Sequence, residues 1–309
     1  MLKLSSPSPL SPLARGGEGC VMRRIAPFLG LTILFLFGLI LLTLFFRGQI
    51  PRWHSLLLRY VLWSGLVFAL KLSSDRKVMG RAGSFFHDFS PILFIILIYE
   101  SLGDLIQHLH PDIDPCLIRI DFFIFGVHPT IWMEKWIVPW FTDIMSFAYV
   151  SYYFLPLILI MTLYLKNRRP GLNESIFVLT FAYYVSFVGY ILFPAVGPRY
   201  AMAHLYSVPI EGSLLTDLVR DVLNAIEHNK RDCMPSGHTQ IVLIVLFLAY
   251  RYERFLFYIF FPLVCGLILS TVYLRYHYVI DLFVGASLAV GCMIIGPRLY
   301  RWWNLRIKD

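Results

Sequence analysis

The residues most able to do chemistry are an imidazole and a carboxylate near the C-terminal end of the chain. His277 and Asp281 are four positions apart in the segment "RYHYVID". On a helix this spacing places both side chains on one face, where the carboxylate can accept one imidazole N–H and leave the other ring nitrogen as a base or nucleophile. A His with only a structural hydrogen bond has the same spacing, but an ionisable pair at membrane depth is costly and usually functional.

The segment "MPSGHT" adds a second imidazole and a helix start. Pro235 restricts the residue before it to extended geometry, and Ser236 suits an N-cap. The apolar run that follows places Gly237 and His238 in the first helical turn, whose free backbone N–H groups can bind an anion. An ordinary helix start with an incidental His is the alternative interpretation.

Two arginines are candidate phosphate-binding cations. Arg199, in "FPAVGPRY", carries a planar guanidinium that suits bidentate contact with phosphate, although beside Tyr200 it could equally anchor the chain at a membrane interface. Arg275 would face away from His277 on a regular helix, so it joins the site only if the chain turns near Tyr276. Two imidazoles, a carboxylate, a guanidinium and a helix N-terminus together form a site that can cleave a phosphoester.

The sequence predicts no metal site and no cofactor. The five Cys have no CxxC spacing, and Cys116 and Cys233 are better explained as two unrelated thiols than as a disulfide. His108 and His110 stand near acidic residues, but a solvated loop explains them better than a metal centre. We therefore expect the chemistry to rest on side chains and backbone alone.

The composition requires that membrane helices position these residues. Hydrophobic residues make up 58% of the 309 and charged residues 15%, which excludes an ordinary soluble domain and a disordered chain. We therefore predict an all-α, polytopic membrane helix bundle of about eight transmembrane helices. The predicted spans at 56–70 and 89–103 are weak, because charged residues and a proline interrupt or flank them. All eight predicted spans are 25–46, 56–70, 89–103, 144–165, 175–194, 238–250, 255–274 and 279–296.

The distribution of positive charge predicts how the helices are oriented. With the N-terminus inside, 17 of the 27 Lys and Arg residues fall in inner segments, which agrees with the preference for positive cytoplasmic loops. Both termini are therefore expected in the cytoplasm, with the candidate site on the outer face of a plasma (inner) membrane. These basic inner loops account for the net charge of +8, so we expect no nucleic-acid partner.

The motifs resemble those of the type 2 phosphatidic acid phosphatase superfamily of membrane enzymes. "PSGH" at 235–238 matches its second motif, and "H-x-x-x-D" at 277–281 matches the end of its third. Upstream, "IDFFIFGVHPTIWMEKW" and "FPAVGPRY" are similar to the branch that includes inositol phosphorylceramide synthases, which are inositolphosphotransferases. The resemblance spans roughly 115–290 and implies a six-helix catalytic core.

Two motifs depart from the pattern of the superfamily. The first motif would place a lysine seven residues before Arg199 and a proline directly after it, where this chain has Leu192 and Tyr200. The third motif carries an arginine six residues before its His, where this chain has Thr271. We expect Arg199 and Arg275 to replace the missing cations, with Lys230 or Arg231 as further candidates.

The resemblance implies a role for each candidate residue. His277 would attack phosphorus to form a phosphohistidine while Asp281 holds its ring, and His238 would protonate the leaving oxygen. The phosphoryl group would then pass to water, or to a lipid or polyol hydroxyl, from a phospholipid or polyprenyl phosphate donor in the bilayer. The residues implied to bind the phosphoryl oxygens are Arg199, Ser236, Gly237 and Arg275.

Four regions are expected along the chain. Residues 1–21 are rich in Ser, Pro and Gly and predict a disordered extension, with Met22 as a plausible true start. The remaining regions are N-terminal membrane helices at 22–103, a phosphatase- or phosphotransferase-like membrane domain at 104–296 and a basic cytoplasmic tail at 297–309.

Three tryptophans stand in the predicted outer segment before the fourth span. Trp132, Trp136 and Trp140 are spaced by four, which predicts an interfacial helix that anchors the chain or lines an entry path for lipid.

Two other classes of protein are weaker interpretations. An intramembrane serine protease would use Ser236 as nucleophile and His277 as base, but it leaves Arg199 and the spacing of His277 and Asp281 without a role. A non-catalytic transporter or scaffold would carry the same motifs as a vestigial pocket.

Overall fold

The computed structural model describes residues 25–75, 80–226 and 229–306, and the predicted extension at 1–21 with its candidate start at Met22 lies outside them. The described residues form α-helices and short 3₁₀ turns, without a β-strand. In chain order the α-helices are α1 (Pro27–Phe45), α2 (Trp53–Asp75), α3 (Gly80–Ile106), α4 (Asp114–Phe125), α5 (Pro129–Trp132), α6 (Pro139–Leu165), α7 (Arg169–Leu192), α8 (Pro198–Ala201), α9 (Thr216–Ile226), α10 (Gly237–Tyr252), α11 (Arg254–Tyr273) and α12 (Val279–Arg306).

Seven of the described helices are long and apolar enough to cross a bilayer: α1, α2, α3, α6, α7, α11 and α12. The two spans whose sequences are weak, α2 and α3, are among them. Helix α12 continues past the predicted end of the last span and reaches Arg306. The predicted fold class, a polytopic all-α membrane bundle, is confirmed.

Helix α10 corresponds to the remaining predicted span, although its 16 residues make it shorter than the others. It packs on α6, α7, α11 and α12, and most of its residues are buried. Its N-terminus lies beside the connection between α11 and α12, whereas Glu253, just past its C-terminus, binds Lys166 at 2.8 Å after the end of α6. Helix α10 therefore runs from one end of the bundle to the other, and protein rather than lipid surrounds it.

The end of the bundle that carries the N-terminus of α10 is held together by contacts among its connections. Ile113 N donates to Pro194 O at 2.8 Å, and Arg199 N donates to Arg275 O at 2.8 Å. These bonds bring the segments before α4, after α7 and after α11 next to one another, which is the arrangement that a composite site requires.

The segment 114–136 differs from the predicted outer loop. Helix α4 and the α5–3₁₀ turn at 129–136 meet at a bend of 62°, and together they are apolar enough to be a broken span or a re-entrant loop. The prediction of one helix that carries Trp132, Trp136 and Trp140 is wrong, because the chain is extended at Ile137 and Val138, before α6 starts at Pro139. All three tryptophans are nevertheless exposed.

Helix α4 positions the site through two buried carboxylates. Asp114 accepts hydrogen bonds from Val196 N and Gly197 N, both at 2.9 Å, and so fixes the connection after α7. Asp121 accepts from the first two backbone N–H groups of α12, those of Val279 and Ile280, at 2.8 and 2.9 Å. Because the first N–H groups of a helix have no partner within it, Asp121 supplies the cap that α12 lacks in its own sequence.

Candidate active site

The two candidate histidines meet although they come from different helices. His238 lies in the first turn of α10, and His277 lies in the connection between α11 and α12. His238 Nδ1 is 3.2 Å from His277 Nε2, and the two residues are only 9% and 2% exposed. Because the rings are in direct contact, a phosphoryl group must part them to enter.

The backbone around His277 defines which nitrogen of that ring carries the hydrogen. His277 Nδ1 lies 2.8 Å from the carbonyl oxygen of Cys233, and a carbonyl only accepts, so Nδ1 carries the hydrogen. In the neutral ring Nε2 then has a free electron pair and accepts from the Nδ1–H of His238. His238 Nε2 is buried and has no hydrogen-bond partner within the described residues.

Asp281 contacts His277 in a way that differs from the predicted helical pair. Helix α12 begins at Val279, so His277 precedes the helix and approaches Asp281 because the chain folds back onto the first turn. The His277 Nδ1 to Asp281 Oδ2 distance is 3.5 Å, longer than the bond to the Cys233 carbonyl. Oδ2 also accepts from Cys233 Sγ at 2.8 Å and Tyr278 N at 2.9 Å.

Cys233, His277 and Asp281 also form the group closest to a metal-binding arrangement among the described residues, with one ligand atom each within 4.8 Å of the others. Burial and the neighbouring Asp281 carboxylate raise the pKa of the Cys233 thiol. The thiol therefore keeps its proton and donates to Asp281 instead of offering a thiolate, which is the form that binds metals. We assign the group a hydrogen-bonding role.

Ser236 is the N-cap of α10, as the sequence predicts. Its Oγ accepts from Thr239 N at 3.2 Å, and its backbone N–H donates to Asp281 O at 3.2 Å, so the starts of α10 and α12 are joined. Ser236 Oγ also donates to Thr239 Oγ1 at 3.1 Å. No hydrogen bond in the described chain links Ser236 Oγ to an imidazole, so the serine-protease alternative lacks its nucleophile–base contact.

Close packing around this N-terminus requires two glycines. A Cβ on Gly237 would lie 2.1 Å from the hydroxyl of Tyr190. A Cβ on Gly285, in α12, would lie 2.4 Å from the carbonyl oxygen of Ser236. Gly285 was not predicted as a site residue, because nothing in its local sequence shows that α10 passes so close.

Replacing Gly285 with Ala is expected to destabilise the protein by about 1–3 kcal/mol, the usual cost of overpacking, because the clashing Ser236 oxygen belongs to the backbone. Thermal unfolding in detergent measures the change. Gly291→Ala is the matched control in the same helix, since nothing lies within 4 Å of its added Cβ, and it should leave the melting temperature unchanged or raise it. Equal melting temperatures for the two variants would contradict the proposed contact.

The two candidate arginines lie in a separate cavity of about 250 Å³, the arginine cavity, which Arg199, Arg220, Arg275, Tyr206 and Tyr276 help to line. The chain does turn before Tyr276, because Arg275 has a left-handed φ of 66°. The Arg275 guanidinium then binds Glu134 at 2.9 Å and stacks 3.7 Å from the ring centre of Tyr206.

Two aromatic rings lie between Arg199 and His238. Its guanidinium donates to the Tyr276 hydroxyl at 3.2 Å and to Asn224 Oδ1 at 3.2 Å. Tyr276 stacks on Tyr149 at 4.4 Å between centroids, and Tyr149 lies 4.8 Å from the ring of His238. The structure thus brings the imidazoles, Asp281, Ser236 and Gly237 together, whereas Arg199 and Arg275 lie beyond Tyr276.

A second cavity of about 250 Å³ adjoins His238 on another side and was not predicted from the sequence. We call it the tyrosine cavity. Asp232 lines it, and burial raises the pKa of this carboxyl, which accepts from the hydroxyl of Tyr99 at 2.7 Å. The tyrosines that line the cavity are Tyr99, Tyr152, Tyr153, Tyr183 and Tyr190.

Comparison with known proteins identifies the class to which this fold and site belong. The model of the PAP2 superfamily matches residues 117–295, from α4 into α12, and the chain belongs to this superfamily. The chain is also similar to a PA-phosphatase related-family protein of Dictyostelium discoideum, with 22% identity over 175 residues that cover 50% of this chain and 32% of that protein. The match therefore spans about a third of the relative's length. No solved structure matches the chain.

The match confirms the predicted superfamily and covers both histidine motifs. Helices α1 to α3 precede the matched residues, although α1 and α3 pack on α7 within them. The predicted domain boundary at residues 103 and 104 stays a prediction, and α3 runs through it to Ile106. The likeness to inositol phosphorylceramide synthases also stays a prediction.

Proposed function

We propose that this protein is an integral-membrane phosphatase or phosphotransferase that cleaves a lipid-linked phosphate ester through a phosphohistidine. The observation that carries the proposal is the paired imidazoles: His277 Nε2 has a free electron pair and lies 3.2 Å from a protonated nitrogen of His238. One ring is oriented as a nucleophile, and the other is placed to donate a proton at the same point. Membership of the PAP2 superfamily supports this assignment.

The first half-reaction follows from these positions. His277 Nε2 attacks phosphorus, the bond from phosphorus to the lipid oxygen breaks, and His238, protonated on both ring nitrogens as an imidazolium, donates its Nδ1 proton to that oxygen and becomes neutral. In-line displacement places the leaving oxygen on the far side of phosphorus from the nucleophile, so the 3.2 Å contact between the rings must open when substrate binds. The Cys233 carbonyl and Asp281 stabilise the positive charge on the modified His277 ring.

The second half-reaction reverses the first. His238 accepts a proton from water or from an alcohol, whose oxygen attacks phosphorus, and the phosphorus–nitrogen bond breaks with its electron pair returning to His277. The N-terminus of α10, at Ser236 and Gly237, supplies N–H groups for the phosphoryl oxygens. Arg199 adds positive charge from the arginine cavity, and Arg275 does so only if it loosens its ion pair with Glu134.

The membrane provides both the substrate and the orientation in this proposal. A phospholipid or polyprenyl phosphate presents its head group at the end of the bundle that carries the site while its chains remain in the bilayer. The excess of Lys and Arg at the opposite end supports a cytoplasmic location for both termini, and a site on the outer face of a plasma (inner) membrane. The reaction as proposed uses neither a metal nor a cofactor.

Incubation of the purified protein in liposomes with ³²P-labelled phosphatidic acid tests the proposal. We expect release of labelled phosphate, or transfer to another lipid, together with a labelled protein whose phosphate is lost in acid and retained in base, as in phosphohistidine. Vanadate, which resembles a pentacoordinate phosphoryl group, should inhibit both. Absence of turnover and of labelled histidine with phospholipid and polyprenyl phosphate donors would instead support a transporter or scaffold with a vestigial site.

A further inference from the structure

The tyrosine cavity has the wrong charge for a phosphate group. Five tyrosines, Asp232 and Glu100 line it with His238, and no Lys or Arg is found among the described residues that line it. Carboxylates repel an anionic phosphate, whereas carboxylates and phenol groups both form hydrogen bonds with an alcohol. The polar atoms of this cavity therefore suit hydroxyl groups.

One of the two polar groups beside this cavity, His238 Nε2, lacks a partner among the described residues. Asp232 accepts from Tyr99 through Oδ2, and this bond joins the segment before α10 to helix α3. His238 Nε2 is buried without a hydrogen-bond partner in the described part of the chain. Buried polar nitrogens are nearly always paired in proteins, so a ligand group that bonds with His238 in this cavity would complete the site.

An apolar cavity continues the tyrosine cavity toward the other end of the bundle. It has a volume of about 200 Å³ and lies between α3, α6 and α7. The two cavities share the lining residues Ile95, Ile96, Tyr153 and Tyr183, and beyond them Pro156, Ile160 and Leu179 form an apolar wall. A ligand that fills both cavities carries hydroxyl groups at one end and a hydrocarbon chain at the other.

The arginine cavity and the tyrosine cavity are lined by charged residues of opposite sign. Arg199, Arg220 and Arg275 line the arginine cavity, while Asp232 and Glu100 line the tyrosine cavity. The stacked rings of Tyr149 and Tyr276 lie on the path from Arg199 to His238. Among the described residues, His238 lines only the tyrosine cavity of these two, so the uncharged alcohol half of a phosphoester suits the cavity without cations beside His238.

We propose that the tyrosine cavity binds a lipid alcohol that accepts the phosphoryl group, and that Asp232 accepts a hydrogen bond from its hydroxyl. The proposal rests on the proposed phosphohistidine mechanism and names its acceptor. The alcohol proton passes to His238, its oxygen bonds to phosphorus, and the phosphorus–nitrogen bond breaks to restore His277. Tyr99, which holds Asp232, belongs to α3, outside the superfamily match, so the N-terminal helices contribute to the choice of acceptor.

Phosphoryl transfer to dioctanoylglycerol tests the proposal, with p-nitrophenyl phosphate as a donor that has no lipid chain. The full-length protein in detergent micelles should release p-nitrophenol and form dioctanoylglycerol phosphate. Asp232→Asn should lower kcat/KM for dioctanoylglycerol roughly tenfold or more, the loss expected for a hydrogen bond to a charged group. Its release of p-nitrophenol without acceptor should change less than about twofold. Tyr99→Phe should lower transfer in the same direction by a smaller factor, because Asp232 remains.

Asp112→Asn is the matched control. Asp112 lies at the same end of the bundle and allows the same change from Asp to Asn. It binds Arg231, and it is not among the described residues that line the arginine cavity or the tyrosine cavity. This variant should leave both reactions unchanged. Asp232 would have only a structural role if Asp232→Asn lowered both reactions equally, and an unchanged KM for dioctanoylglycerol would also overturn the proposal.

Two results with the unmodified protein separate the two proposals. Equal transfer to glycerol and to dioctanoylglycerol would overturn the lipid alcohol while the phosphohistidine mechanism survives. Failure to release p-nitrophenol or to form labelled histidine would overturn the proposed function itself.

Discussion

Replacing His277 with Asn is expected to abolish phosphoryl turnover, with a fall in kcat on the order of 10⁴-fold or more. The reason is that Nε2, the proposed nucleophile, disappears. The amide nitrogen of Asn can take the position of Nδ1 and keep the hydrogen bond to the Cys233 carbonyl, so the connection between α11 and α12 should retain its structure. Release of ³²P from phosphatidic acid and the labelling of protein histidine are the two measurements.

His204→Asn provides the control for this substitution. His204 is exposed in a 3₁₀ turn at the same end of the bundle, and among the described residues no hydrogen bond or ring contact joins it to the paired imidazoles. The control should retain turnover and histidine labelling. If His277→Asn still formed a labelled histidine at the normal rate, another residue would be the nucleophile.

The membrane helices could be predicted from the sequence because each one is an apolar run with a charged or proline-rich boundary. The run at 238–250 becomes α10, and Ser236 caps it as predicted, since an N-cap depends only on neighbouring residues. Helix α4 was missed because polar residues break its apolar character. Its carboxylates at Asp114 and Asp121 act on segments far away in the chain, and residue type alone does not reveal such partners.

The candidate site could be predicted only in part. His238 and His277 meet as the motifs indicate. The closest hydrogen-bond partner of the His277 ring, however, is the backbone carbonyl of Cys233. A backbone acceptor cannot be predicted from residue types, because every residue has a carbonyl group. The predicted helical pairing with Asp281 assumed a regular helix where the chain instead turns. For the same reason the sequence could not show that Arg275 binds Glu134.

The tyrosine cavity could not be predicted from the sequence for a different reason. Its tyrosines come from α3, α6 and α7, and in each helix they look like ordinary aromatic residues of a membrane core or interface. Only the packing of α3 on α7 brings Tyr99 to Asp232, which is 133 residues away in the chain. A site assembled from three helices has no local pattern to detect.

His238→Gln is expected to lower turnover of a lipid phosphate roughly 10²- to 10⁴-fold, the usual contribution of a general acid. The Gln amide can occupy the position of Nε2 but leaves no donor at the position of Nδ1, where the leaving lipid oxygen would be protonated. An alkoxide leaves poorly without a proton, whereas p-nitrophenolate leaves readily. The first turnover of p-nitrophenyl phosphate should therefore be much less affected than that of phosphatidic acid.

The same substitution should trap the intermediate. His238 also activates the incoming water or alcohol, so in the variant the phosphohistidine formed from p-nitrophenyl phosphate should persist and accumulate as one burst of p-nitrophenol without further turnover. Gel detection of acid-labile ³²P-protein measures this directly, and His204→Asn should show no accumulation. Equal losses of the first turnover for both donors would assign His238 to phosphate binding, because an acid acts selectively on the poor leaving group.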